Sequence, residues 1–482
     1  MKKILLLVNV VLVLLILACQ EQTMTTSYIT EITSIENITE EDSNEPTYAS
    51  TEYNIESLYK VFPMEQMSSD LDYELTGLLD GKNLITIMLE SGVSEAINPV
   101  LTPTLYQLTQ EGIYFSNHYT ENKTYMSEMI GILGNYPSYN FSTNSYEYDL
   151  PFSLPNIFNA RGYKTVYFHE NIGSFFWRDD RIPMFGFQES YFHFDFFPTE
   201  PIYGWGGDYT LDSRTMDAMM PYMFNEEENQ PFYYFWTTLV THGPYNRNYP
   251  SDRGMNNLKK FIQLGYFDLI DQAKENGQWI NPLDSIGEEA AGQFRFYQAA
   301  MMDFDIALNK LITQLTEKEL IDDTLILIYG DHAFYHDGIN ELMLEATNPN
   351  AHEKEMYQTF FVLYNPELSE IYMNYHDSHQ NDKFINPYDI APTLYQLFNI
   401  AYYEEFIHGH SVFSSEESIF YSHKLDAYFN DDFYTVSLDK VDYSNIDIDP
   451  ELSIEFLEQV NIFYEKQAFF DAWIYSHKTK RD

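Results

Sequence analysis

Short, nearly continuous apolar runs alternate with helical patterns through the middle of the chain. Asn83–Leu89 (NLITIML), Lys164–Phe168, Pro231–Val240 (PFYYFWTTLV), Thr324–Tyr329 (TLILIY) and Thr359–Tyr364 read as strands buried on both faces. Ahead of Thr324 the pattern changes period. Phe294, Tyr297, Met301, Phe304, Leu308, Leu311 and Leu315 recur at alternating steps of three and four, which lays one apolar stripe along a long helix. Packing against a sheet accounts for that stripe. Buried strands alternating with helices predict an α/β fold with a mostly parallel central sheet and helices on both faces. Ligands in such sheets gather at the carboxyl ends of the strands, so the residues just past each run come first for chemistry.

The globular pattern spans about Leu71 to Ser414, predicting one large domain over 71–414. From Gln20 to about Asp70 the chain is rich in Thr, Ser, Glu and Asn, with few large aliphatics, and reads as a solvated tether over 20–70. Asn246 to about Gly292 is polar and broken by Gly and Pro, the pattern of an insertion over one sheet edge. The last stretch, 415–482, is acidic and aromatic. It forms a smaller C-terminal part with a final helical pattern from Glu451 to Trp473.

At the other end, Lys2 and Lys3 precede a largely apolar stretch, Ile4–Ala18, that stops at Cys19. That is the layout of a secretory leader over 1–19, shorter than the ~20 residues that span a bilayer. Ile16-Leu17-Ala18-Cys19 resembles a bacterial lipobox, which predicts lipidation at Cys19; a plain signal anchor with an incidental cysteine is the alternative. The reading is a lipid-anchored protein on the extracellular face of a bacterial cell membrane.

Composition narrows the field further. The 482 residues include 26 basic and 74 acidic side chains, a net charge of −48, and such a surface repels phosphate backbones, which excludes nucleic acid as a partner. An acidic domain held near an anionic membrane also needs a firm anchor. Hydrophobic residues make up 44%, enough for a large core. Cys19 is the sole cysteine, so no disulfide forms within the chain.

Five elements could carry chemistry. Glu90 follows the NLITIML run, and Asp331-His332 follow TLILIY-Gly330. A carboxylate at the end of a buried strand is costly unless paired, and one acid after one strand with an Asp-His pair after another could converge on a divalent cation. Each alone could equally cap a helix. Thr124 falls between the strand-like Ile113–Tyr119 and the helical Ser127–Leu133, near a helix N-terminus that favours an anion, although an N-cap threonine fits the same place. His242, in Thr241-His242-Gly243-Pro244, sits on a turn past a strand end, where it could meet substrate or remain a plain loop histidine. In Phe175-Phe176-Trp177-Arg178-Asp179-Asp180 the arginine could clamp a phosphate beside an aromatic wall, or pair with Asp179 or Asp180 on the surface.

The order of these elements resembles the extracellular domain of lipoteichoic acid synthases, members of the sulfatase and alkaline phosphatase superfamily. Thr102-Pro103-Thr104-Leu105, Glu111–Phe115, Gly204-Trp205-Gly206 and Asp389–Leu394 agree with it, over about Asn83 to Phe413. The resemblance implies an alkaline phosphatase/sulfatase-like fold and one divalent cation, manganese in type with magnesium or zinc as alternatives, held by Glu90, Thr124, Asp331 and His332. Thr124 would be the nucleophile, and His242, Arg178, Phe176 and Trp177 would hold the phosphoryl group and its glycerol. The implied donor is phosphatidylglycerol or a related phospholipid, and the acceptor a hydroxyl on an envelope polymer or glycan.

The chain departs from the family at three points. Phe176 takes the place of the family's tryptophan, with Trp177 after it. Tyr125-Met126 replace a small and acidic pair after the threonine, though Glu128 fits. The anchor and tether would take the place of the family's membrane-helix bundle. Rival readings are a phosphodiesterase, phosphatase or sulfatase-like hydrolase of the same superfamily, or a non-catalytic envelope-binding lipoprotein. A sulfatase proper would need a Cys or Ser in a Cys/Ser-x-Pro-x-Arg setting, which the chain lacks. An ethanolamine-phosphate transferase would be expected to be rich in disulfides.

Overall fold

A computed structural model describes residues 69–120, 123–136, 146–148, 150–200, 211–224, 230–245, 257–334, 338–402, 404–437, 440–443, 450–476 and 478–480. The leader with Cys19 and nearly all of the expected tether lie outside the described residues, as does Gly204-Trp205-Gly206. No described helix is long and apolar enough to cross a membrane.

The central sheet has eight strands: β1 (Asn83–Leu89), β2 (Ile113–Tyr119), β3 (Lys164–His169), β4 (Glu189–Tyr191), β5 (Phe232–Thr237), β6 (Thr324–Gly330), β7 (Gln358–Tyr364) and β8 (Gln380–Asn381). Their spatial order is β4-β3-β5-β1-β6-β7-β2-β8. Only β7 runs against the rest, since it pairs antiparallel with both β6 and β2. The expected mostly parallel sheet is therefore present. Every residue of β1, β3, β5 and β6 is buried, which is why these strands read as apolar runs rather than alternations.

The principal helices are α1 (Pro103–Glu111), α2 (Thr124–Leu133), α3 (Arg178–Met184), α4 (Asp212–Met223), α5 (Leu258–Gln263), α6 (Tyr266–Glu275), α7 (Glu288–Glu317), α8 (Ile390–Leu397) and α9 (Pro450–Ser476). On one face of the sheet Ile85, Ile87, Trp236, Ile326 and Ile328 form a core with α1, α4 and α7. The predicted stripe of α7, Phe294 to Leu315, lies in it. On the other face α2 comes so close that a Cβ on Gly131 would sit 2.8 Å from the Tyr329 hydroxyl. α8 packs behind α2, with Ile390 beside Gly131 and Ala391 beside Gly134.

Two expectations are corrected. Strand β5 stops at Thr237 rather than continuing to Val240: Thr238 and Thr241 turn their side chains to the backbone of Glu90 instead of extending the ladder. The polar stretch expected as an insertion over a sheet edge contains α5 and α6, packed on α7 rather than on an edge. Phe261 lies 5.3 Å from Phe296, ring to ring. The C-terminal part forms a four-stranded antiparallel sheet over Phe420–Tyr443, followed by α9. Phe420, Phe429 and Phe463 pack with Tyr119 and Ile130, joining this part to β2 and α2.

Candidate active site

Four neighbouring strands, in the order β3-β5-β1-β6, end side by side and release the chain toward one place. Past β1 comes Glu90, past β5 the turn Thr238–His242, and past β6 the pair Asp331-His332. The Glu90 backbone is clamped by the β5 turn: its N–H donates to Thr238 Oγ1 at 3.0 Å, and its carbonyl accepts from Thr241 Oγ1 at 2.6 Å. Asp331 Oδ1 accepts from the backbone N–H groups of Ser91 and His332, both at 2.7 Å. Two glycines let these ends meet, since Gly92 and Gly330 approach too closely for side chains.

Thr124 opens α2. Lys123 ahead of it is extended, with no side-chain cap, and the helix dipole makes this end favourable to an anion. The hydroxyl donates to Glu90 Oε2 at 3.2 Å and lies 3.3 Å from His332 Nε2. His332 Nε2 is in turn 3.3 Å from Glu90 Oε1 and 3.3 Å from Asp331 Oδ2. Thus the four residues expected around a cation do converge.

Whether they fit one can be tested on the donors themselves. Glu90, Asp331 and His332 each offer a ligand atom, all within 4.8 Å of one another, and all three residues are buried. Asp331 Oδ2 is buried without a hydrogen bond. His332 Nδ1 lies 2.8 Å from the Ala333 carbonyl, which assigns the proton to Nδ1 and turns the Nε2 lone pair inward. An oxygen-rich set with one imidazole suits manganese, magnesium or zinc, so the residues fit a divalent cation.

Electrostatics agree. Burial, with the Glu90 charge beside it, pushes Asp331 up to about 8. Burial alone would lower His332, but Asp331 and Glu90 raise it to about 9. Burial would raise Glu90, yet the charges of His332 and His242 hold it well below the usual carboxylate range. A proton on His332 therefore occupies the place that a cation would contest.

Arg178 lies behind the threonine, and its partner is neither Asp179 nor Asp180. Its Nε stands 3.3 Å from both oxygens of Glu128, four residues after Thr124 on the same face of α2. Glu128 also accepts from the Tyr167 hydroxyl at 2.5 Å and from Thr237 Oγ1 at 3.1 Å. The aromatic wall is present but folded differently from a flat platform. Phe176 packs on Phe175 at 4.6 Å and on Tyr125 at 4.9 Å, while Trp177 is 45% exposed at the rim. Phe176 and Trp177 both adopt left-handed backbone conformations, φ 52° and 54°, a local cost that non-glycine residues carry mainly where function needs it.

His242 is half-buried and lies within electrostatic reach of both Glu90 and His169. Sequence reasoning passed over His169, Tyr167, Thr237 and Arg181. His169 is buried at the end of β3, with Nδ1 2.9 Å from the Thr237 carbonyl, and a histidine closing a buried strand was the one available signal. His408 and His410, which follow α8, join no such cluster among the described residues, and His410 pairs with Glu416 at 2.9 Å.

Comparison with known proteins places this geometry. The chain is 23% identical over 371 residues to a lipoteichoic acid synthase-like protein of Bacillus subtilis, covering 72% of this chain and 52% of that one. It is 27% identical over 392 residues to lipoteichoic acid synthase 1 of the same organism, covering 77% and 53%. The chain thus spans about half the length of the curated relatives it matches. The crystal structure of the lipoteichoic acid synthase LtaP from Listeria monocytogenes superposes with a TM-score of 0.64 at 19% identity, over 89% of this chain and 99% of that one. A protein of the alkaline phosphatase superfamily from Vibrio parahaemolyticus follows the same fold, with a TM-score of 0.55 at 15% identity over 82% and 88%. Residues 82–400 match the sulfatase family model, two thirds of the chain and all of the strands that build the site, and the chain belongs to the sulfatase family.

Proposed function

We propose that the chain is a metal-dependent phosphoglycerol transferase acting on phosphatidylglycerol or a related phospholipid, with Thr124 as its nucleophile. The acceptor would be a hydroxyl on an envelope polymer or glycan, and lipid at Cys19 would hold the domain beside its donor on the outer face of the membrane. The observation that carries this reading is the Thr124 hydroxyl, set at a helix N-terminus 3.2 Å from Glu90 and 3.3 Å from His332. Similarity to lipoteichoic acid synthases supports the choice of donor.

Glu90, Asp331, His332 and Thr124 would hold the cation, which when bound lowers the pKa of a hydroxyl and neutralises phosphoryl charge. The chain's own groups set the rest. Glu90 Oε2 takes the hydrogen bond of the Thr124 hydroxyl and so points its lone pairs toward the incoming phosphorus. Attack would form a Thr–O–P bond and break the bond to the diacylglycerol oxygen, which leaves with a proton. The acceptor hydroxyl would then displace Thr124 from glycerol phosphate, losing its proton in turn. Arg178 and His242 would hold the phosphoryl oxygens, and Phe176 with Trp177 the glycerol.

The test is diacylglycerol release from fluorescent phosphatidylglycerol in vesicles by the purified full-length chain with Mn²⁺. Release should stop with a chelator and fall at least ~10³-fold in Thr124→Ala, while that variant melts as the parent does. A folded, metal-loaded chain that releases nothing would sink the reading.

A further inference from the structure

Helix α3 carries a second arginine one turn beyond Arg178, and the two are not equivalent. Arg178 has its charge matched by Glu128, through Nε. Arg181 is as deeply placed, 4% exposed, with its guanidinium carbon 5.6 Å from the centre of the Tyr125 ring. Its Nη1 is buried with no hydrogen-bond partner. Every other arginine among the described residues meets a carboxylate: Arg161 with Asp80, Arg178 with Glu128, Arg214 with Glu200 and Arg295 with Asp271. Arg181 alone of them forms no ion pair, in a chain with 74 acidic side chains available.

Arginine cannot lose its proton to escape burial, so this charge stays. Glu128 stands as the one negative charge facing two guanidinium groups, which leaves the buried positive charge of Arg181 without an ion pair beside Tyr125, the residue after Thr124. A buried cation without a partner is costly, and an anion seated beside it removes that cost. The surroundings suit an ester rather than a bare ion. Tyr125 follows Thr124 directly, and the Phe176 ring packs tilted on it at 4.9 Å, so the ring beside the guanidinium belongs to an aromatic pair able to flank a short carbon skeleton.

We propose that Arg181, with Tyr125 and Phe176, forms a second anion subsite beside Thr124 that takes an anionic phosphate ester group of the substrate; the identity of that group rests on the phosphoglycerol reading above. The phosphate could be the donor's own or the last phosphate of a glycerol phosphate acceptor chain. In either case the subsite discriminates by charge, not by the chemistry of transfer.

Calorimetric titration of the full-length chain in chelator tests this without turnover. The probes are glycerol 1-phosphate and a two-unit glycerol phosphate oligomer, and the variants are Arg181→Met and Arg181→Lys. Arg181→Met should bind about tenfold more weakly, the loss of one charge-assisted contact, and Arg181→Lys should recover part of it. Loss for both probes assigns the donor phosphate, and loss for the oligomer alone assigns the acceptor's. Without ligand, Arg181→Met should melt no lower than the parent, because it removes an uncompensated charge. Should the Met variant fail to fold, Arg181→Gln drops the charge with less change in polarity and carries the same expectation. Unchanged affinity for both probes overturns the proposal, as does a lower melting temperature in Arg181→Met with phosphate binding intact. Because binding is read directly, a chain that binds the probes but releases no diacylglycerol would refute the transferase reading and leave the subsite standing.

Discussion

Glu128 stands where three donors meet: Arg178 Nε, the Tyr167 hydroxyl and Thr237 Oγ1. It is fully buried, and so is its arginine. Removing one member of such a pair strands the other's charge, so Glu128→Gln should destabilise the domain by about 3–5 kcal/mol in a urea melt. Replacing Glu128 and Arg178 together by Met should cost less than Glu128→Gln alone, because the Arg178 charge goes with its partner and only that of Arg181 is left. A single variant as stable as the parent would mean that Glu128 does not balance these cations. The same residue shows where sequence reasoning thins. Its place four residues after Thr124 is visible in the chain, but its partners lie 50 and 39 residues away, on α3 and β3. Nothing periodic announces such a meeting.

The ends of β1 and β6 approach by way of two glycines. A Cβ on Gly330 would lie 2.3 Å from the Gly92 carbonyl oxygen and 2.9 Å from Thr359 Cβ, so Gly330→Ala must push the two ends apart. Overpacking of this kind costs roughly 1–3 kcal/mol. Because Glu90 and Asp331 sit on the two ends, Mn²⁺ affinity should also fall about tenfold or more, as read by titration; retained affinity would show that the ends can shift without moving the ligands. Elements of this kind were the legible part of the fold. A strand buried on both faces leaves a compact apolar signal, and the first residues after it, Glu90 or Asp331-His332, stand out for breaking it. The same signal misled at β5, where Leu239 and Val240 remain buried in the turn after the strand has ended. In α5 and α6 the buried Phe261, Tyr266, Ile270 and Ala273 are spaced among so many polar residues that the stretch reads as an insertion over a sheet edge.

Buried acids set how the whole domain answers to pH. Burial and the neighbouring Asp303 push Asp212 up to about 8, and burial with Asp212 raises Glu170 well above its usual range. A carboxyl that holds its proton more tightly folded than unfolded stabilises the fold at low pH. That contribution fades as pH climbs from the ordinary value of about 4 through about 8. His332, raised to about 9 by Asp331 and Glu90 against the effect of burial, acts in the same sense. Between pH about 6.5 and about 8.5 the cation-free chain should therefore melt at falling temperatures. Asp212→Asn, which keeps an oxygen for the Leu239 and Val240 amides, should flatten that slope, and a parent whose melting temperature rises across this range would contradict the assignment. The strand order has a further consequence, for how the molecule comes into being. The Ser91 amide and its acceptor Asp331 lie 240 residues apart, so no early portion of the chain, however well folded, contains the metal pocket. An ion at the proposed site could be captured only after residue 332 has arrived and β6 has docked against β1. The supply of ions where assembly finishes, as much as the ligands themselves, would then decide which metal the proposed site takes.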